Sequence, residues 1–83
     1  MDFPIQTPRQ LADVLRARRK RLALTQADAG AAVGLRAKTI SAMESAPERS
    51  SILTFFKLLS ALELELVLRP KTPSADTPRA SEW

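Results

Sequence analysis

The sequence predicts a mainly α-helical domain of four short helices followed by one strand, and three observations predict it. Residues 25–44, TQADAGAAVGLRAKTISAME, place a capping threonine, a glycine stop and a second helical run close together. The segment ILTFFKLLSAL at 52–62 is apolar around more than one face, as a central packing helix requires. From Glu63 the period changes, so that Leu64, Leu66 and Leu68 share one side of an alternating run, which is the pattern of a half-buried strand.

The elements follow in order. Residues 1–6 read as an extended arm, and Thr7 with Pro8 is a helix-start pair, an N-cap followed by proline in the first turn. The first helix runs to about Leu22, with Leu11, Val14, Leu15 and Leu22 on one stripe and Arg16, Lys20 and Arg21 facing solvent or phosphate. Thr25 caps a second helix over Gln26–Val33, and Gly34 supplies the left-handed position that ends it. Arg36–Glu44 forms a third helix with Ile40, Met43 and Glu44 on one face. Pro47 makes 45–50 a loop, after which Ser50 or Ser51 caps the fourth helix.

The strand, residues 63–69, has no second candidate to pair with. A lone strand leaves its backbone groups unpaired, so two copies pairing across a two-fold axis is the economical solution; a frayed continuation of the fourth helix is the alternative, since Leu and Glu both favour helix. The folded domain is therefore expected over 7–69, with 70–83 a tail whose prolines and polar residues cannot bury enough surface to fold alone. Trp83, the sole tryptophan, suits insertion into a partner's pocket.

The second and third helices, joined by a tight glycine turn, have the layout of a helix-turn-helix, which projects the N-terminal residues of its second helix into the DNA major groove. Arg36, Ala37, Lys38, Thr39 and Ser41 form the groove-facing set, and Gln26, beside a positive helix end, is aimed at a phosphate. An ordinary helical hairpin with a solvated basic face is the competing reading.

Composition narrows the rest. With 83 residues the chain is one small domain that dimerisation would help to stabilise. Thirteen Lys and Arg against nine Asp and Glu leave a net charge of +4 and favour an acidic partner. Nucleic acid ranks ahead of membrane, because no apolar run is long enough to span a bilayer. The absence of Cys, His and Tyr removes disulfides, thiol catalysis and the usual zinc sites. No catalytic constellation, metal cluster or phosphate loop is present, so no enzyme and no cofactor is expected. The N-terminus has no secretory pattern, and the expected compartment is the cytoplasm.

Leu15 to Glu44 resembles the Cro/C1-type (XRE) helix-turn-helix family, whose domain is the lambda-repressor-like fold. The specific pieces are LTQ at Leu24–Gln26, Gly34 in the turn, and TIS at Thr39–Ser41 with Glu44 beyond it. Outside that motif TFFKLL at Thr54–Leu59, LEL at Leu62–Leu64, the proline-bearing tail and the final EW are similar to the HipB antitoxins. The resemblance implies a homodimer that binds palindromic operator DNA, represses its own operon and neutralises a HipA-type serine/threonine kinase toxin, with Trp83 entering a cleft on the toxin. It also implies an ion pair between Arg19 and Glu44, the places of the arginine and glutamate that pair in such repressors. Two departures stand out: Ala29 replaces a usual leucine, and Gly30 replaces a small alanine, so the second helix is expected to pack less and to lose about 1 kcal/mol to its glycine. A stand-alone repressor without a toxin, or a protein-binding module that never touches DNA, are the alternatives.

Overall fold

A computed structural model describes residues 2–71; Met1 and residues 72–83, including Trp83, lie outside the described residues. Four α-helices, α1 (Pro8–Arg21), α2 (Gln26–Ala31), α3 (Ala37–Ser45) and α4 (Ile52–Ala61), follow one another, with a single 3-10 turn at Pro47–Arg49 between α3 and α4. Three of the four α-helices start on side-chain caps. Thr7 accepts from the Gln10 N–H, Thr25 from Asp28 and Ser51 from Thr54, each satisfying a donor that has no partner within its helix. At α2 the cap is reciprocal, because the Asp28 carboxylate accepts from the Thr25 N–H at 3.0 Å. Those bonds hold the Asp28 carboxyl below the usual carboxylate range. Arg36 stands at the N-cap of α3 without a side-chain bond.

Three helix ends use one device. After α1, α2 and α4 the chain turns through a residue with positive φ, Ala23 at 59°, Gly34 at 74° and Glu63 at 57°. The next N–H then reaches back to the helix: Leu24 to the Arg19 carbonyl at 3.1 Å, Leu35 to Gly30 at 2.8 Å and Leu64 to Leu59 at 2.9 Å. This is the Schellman arrangement, and only one of the three positions carries the glycine that makes it free of strain. An L-residue in that region costs roughly 1–2 kcal/mol. Ala23→Gly is therefore expected to stabilise the fold by on the order of 1 kcal/mol, read as a rise in Tm at fixed protein concentration.

The core lies where the four helices converge. Leu15 of α1, Ala29 of α2, Ile40 and Met43 of α3, and Leu58, Leu59 and Leu62 in and after α4 are buried together. Complete burial of a large apolar side chain contributes about 1.5–3 kcal/mol, and Leu15, Ile40, Met43, Leu58 and Leu62 are in that state. Leu11, Leu22, Leu24, Leu35, Phe55 and Leu64 pack around them. Ala29 is fully buried, so the short side chain there admits close packing of α2 rather than loosening it.

The expected elements and the observed ones differ in three places. The regular part of α2 stops at Ala31 and runs through a turn at Ala32 and Val33 before Gly34. Val14 does not join the core stripe; it faces the arm and Leu64. Of the two serines expected at the start of α4, Ser51 is the cap, as that expectation allowed. The strand expected at 63–69 is not formed, and no strand occurs among the described residues. Its physical reason is the one that made it notable: a strand needs a ladder partner, and the described residues offer none. Nor does α4 continue, because Glu63 at positive φ closes it. Of the three alternating leucines, Leu64 packs on the core while Leu66 and Leu68 are 48% and 88% exposed. Ile52, Leu53 and Phe56 of α4 are exposed as well, which leaves apolar side chains uncovered on both segments.

Candidate nucleic-acid interface

The candidate recognition helix is α3. Ile40 and Met43 face the core, which turns Lys38, Ser41 and Ala42 outward; Arg36 at the N-cap is exposed, and Ala37 and Thr39 are half-buried. The N-terminal end of α3 therefore presents two cations, a hydroxyl and small apolar groups toward water. Ala42 was absent from the sequence-derived set, although one helical turn beyond Lys38 is its immediate neighbour on the same face. Ser45, a turn beyond Ser41, directs its hydroxyl back to the Ser41 carbonyl at 2.8 Å.

A buried charged cluster fixes this helix against the others. Arg19 and Glu44 are each 8% exposed. The Arg19 guanidinium donates from Nε to Glu44 Oε2 at 2.7 Å and from a terminal nitrogen to Oε1 at 3.1 Å, a two-pronged geometry suited to a carboxylate. A third bond, 2.8 Å to the Leu24 carbonyl, ties in the turn before α2. The Gln26 amide donates to Glu44 Oε1 at 3.1 Å, so Gln26, expected at a phosphate, sits at the start of α2 with its amide engaged by α3. Burial pushes the Glu44 carboxyl up, but the hydrogen bonds from Arg19 and Gln26 and the charges of Arg19 and Arg16 more than reverse this and hold it below the carboxylate range. The Arg19 guanidinium is pushed up by its bond to Glu44, against burial.

Two further arginines act on backbone. Arg9 donates to the Glu44 carbonyl at 2.6 Å and the Ser45 carbonyl at 3.4 Å, joining the start of α1 to the end of α3, where a cation also suits the helix dipole. Arg18, one of the basic run, donates to the Leu62 carbonyl at 3.0 Å and holds the end of α4. Sequence reasoning missed both roles, because a backbone carbonyl acceptor leaves no mark on residue type. Between α1 and α3 lies a polar cleft of about 440 Å³ bordered by Arg9, Arg16, Gln26, Ser41 and Glu44. Arg16 is exposed there and brings positive charge beside the outward face of α3.

Among the described residues no group of His, Cys, Asp and Glu could hold a metal ion, and no helix is long and apolar enough to cross a membrane. The sequence profile of the helix-turn-helix family matches residues 15–68. Antitoxin HipB of Escherichia coli O6:H1 is 34% identical over 82 residues, covering 95% of this chain and 87% of the relative. Antitoxin HipB of Escherichia coli K12 is 32% identical over 82 residues, covering 95% and 93%. Among solved structures, a chain of the HipA–HipB–O2–O3 complex superposes with a TM-score of 0.81 at 33% identity, covering 83% of this chain and 97% of that one. A chain of the HipB–O4 20mer complex gives 0.80 at 33% identity with the same coverage.

Proposed function

The chain belongs to the helix-turn-helix family and, within it, to the HipB antitoxins, and on that premise we propose that its dimer is an antitoxin and autorepressor that binds palindromic operator DNA and a HipA-type serine/threonine kinase toxin in the cytoplasm. The observation that carries the DNA-binding half is the Arg19–Glu44 cluster, which holds α3 rigidly with Arg36, Lys38 and Ser41 facing outward. Preorganised donors on a fixed helix are what base-edge reading in the major groove requires. Ala37 and Thr39 add small apolar contacts beside them. Arg16 and Gln26 line the adjoining cleft, where a DNA phosphate would neutralise the positive charge.

Dimerisation follows from the uncovered apolar surface. Leu64, Leu66 and Leu68 are the strand that pairs with its symmetry mate, and Ile52, Leu53 and Phe56 extend the same interface. The pairing supplies the missing ladder partner and sets the two recognition helices about 34–36 Å apart, one turn of DNA. Residues 70–83 form the toxin-binding tail, with Trp83 its anchor.

A mobility-shift assay on the upstream region tests this reading. Wild-type protein should give a band whose affinity falls steeply with salt, each neutralised phosphate contributing a log–log slope of about −0.9. Lys38→Ala is expected to cost about 1–3 kcal/mol and relax sequence preference at one position, whereas Arg16→Ala should weaken all sequences alike and reduce the slope by about 1. Absence of a band at low salt removes DNA binding from the function.

A further inference from the structure

Residues 63–69 are exposed apart from Leu64, and no ladder holds them. No backbone group from Glu65 to Arg69 is hydrogen-bonded to another described residue, yet the segment is fixed at both ends. At its start Arg18 of α1 donates to the Leu62 carbonyl at 3.0 Å, Glu63 turns the chain at φ 57°, and Leu64 packs on the core. At its end Arg69 donates to the Asp2 carboxylate at 2.8 Å, a bond between residues 67 apart in sequence. Phe3, the next residue of the arm, lines the same depression as Leu64, which places the arm beside the segment at a second point.

We propose that the N-terminal arm is a latch on the dimerisation strand, with Asp2 and Arg69 as its positioning pair. The proposal rests on residues 63–69 being the segment that pairs with a second copy. Ordering a loose segment opposes association, and a strand whose two ends are already fixed has less freedom left to lose. Both side chains of the pair are more than half exposed, and such a pair is weak on its own. Each dimer contains two latches, however, and their effects on the dissociation constant multiply. Leu66 and Leu68 supply the apolar contact, while the latch sets the protein concentration at which pairing occurs. Because the dimer spaces the two recognition helices, the arm thereby tunes operator affinity at low protein concentration without touching α3.

Sedimentation equilibrium on the intact chain without DNA reads the dimer dissociation constant. Asp2→Arg and Arg69→Asp each set like charges together, and each should raise that constant about two- to thirtyfold at about 0.1 M salt, two exposed pairs being lost per dimer. The chain carrying both substitutions restores the pair with its signs exchanged and should return to within about twofold of the wild type. Both positions lie outside every helix, so far-ultraviolet circular dichroism should be unchanged. At about 1 M salt, where the Debye length shortens to about 3 Å, the gap between the single variants and the wild type should close. Single variants that dimerise like the wild type overturn the latch. So does a double variant no tighter than the singles, which would make each charge act on its own across the interface. Leu66→Lys separates the latch from the strand beneath it. If that substitution dissociates the dimer while the charge reversals do nothing, the strand stands and the latch falls; a dimer that survives it removes the strand interface and the latch together.

Discussion

Arg19→Ala is expected to lower the free energy of unfolding by about 3–5 kcal/mol, the range for removing one partner of a buried ion pair. The loss exceeds a single contact because Arg19 makes three bonds, two to Glu44 and one to the Leu24 carbonyl. Without it Glu44 keeps its charge in a buried position with only the Gln26 amide and the more distant Arg16 to balance it. For a domain of this size, at about 4–8 °C per kcal/mol, the expected fall in Tm is roughly 12–40 °C. Replacing both partners with apolar residues, Arg19→Met with Glu44→Leu, should recover much of the stability, since the desolvation of both charges is then avoided. An Arg19→Ala protein that melted like the wild type while losing operator affinity would make Arg19 a phosphate contact instead of the clamp on α3.

The same pair sets an acid limit. Glu44 has a folded-state value lowered from its ordinary 4.5, so the stability it contributes is fully present above that ordinary value and is lost as pH falls through the lowered one. Arg19, raised, stays charged across the whole working range. Denaturation followed at successive pH values should show Glu44→Gln less stable at neutral pH but with a flatter decline below about pH 4.5. Equal slopes in the two proteins would mean that other carboxylates govern acid unfolding.

What could be read from residue types was mostly local. Thr7, Thr25 and Ser51 announce helix starts because capping is done by the side chain itself, and Gly34 announces a stop because a left-handed residue without a Cβ is free of strain. The two other left-handed ends, at Ala23 and Glu63, were illegible for the converse reason: the tertiary packing of Leu24 and Leu64 onto the core overrides the preference of the residue in the turn. Arg9 and Arg18 are bound to backbone carbonyls at the ends of α3 and α4, contacts that residue type alone does not announce. Leu66 and Leu68 alternate as a strand does, yet a strand is a property of two segments, and no second one occurs among the described residues. The site divides in the same way. The outward set on α3 follows from helical period, whereas the attachment of the Gln26 amide to Glu44 depends on where α2 lies against α3, which no spacing specifies.

Gly30 is where local preference and packing give opposite predictions. Helix propensity alone makes Gly30→Ala a gain of about 1 kcal/mol, in line with the expectation that this glycine weakens α2. In the folded chain a Cβ at position 30 would overlap the Leu35 carbonyl oxygen and stand 3.1 Å from its carbon. Those atoms are backbone and cannot swing aside as a side chain would. They also belong to the residue whose N–H closes the end of α2 on the Gly30 carbonyl at 2.8 Å, so relief requires prising apart the turn that places α3. Gly30→Ala is therefore expected to destabilise by about 1–3 kcal/mol, as overpacking does, and to reduce operator affinity beyond what the unfolded fraction explains. Gly34→Ala is the control. Its Cβ would meet nothing within 4 Å, so its cost is the backbone conformation at φ 74° alone, about 1–2 kcal/mol, with affinity per folded molecule retained. A higher Tm for Gly30→Ala would show that propensity governs this position and that α2 and α3 tolerate a wider approach. A lower Tm with weakened binding identifies the missing side chain as the feature that sets the spacing between the two helices of the motif.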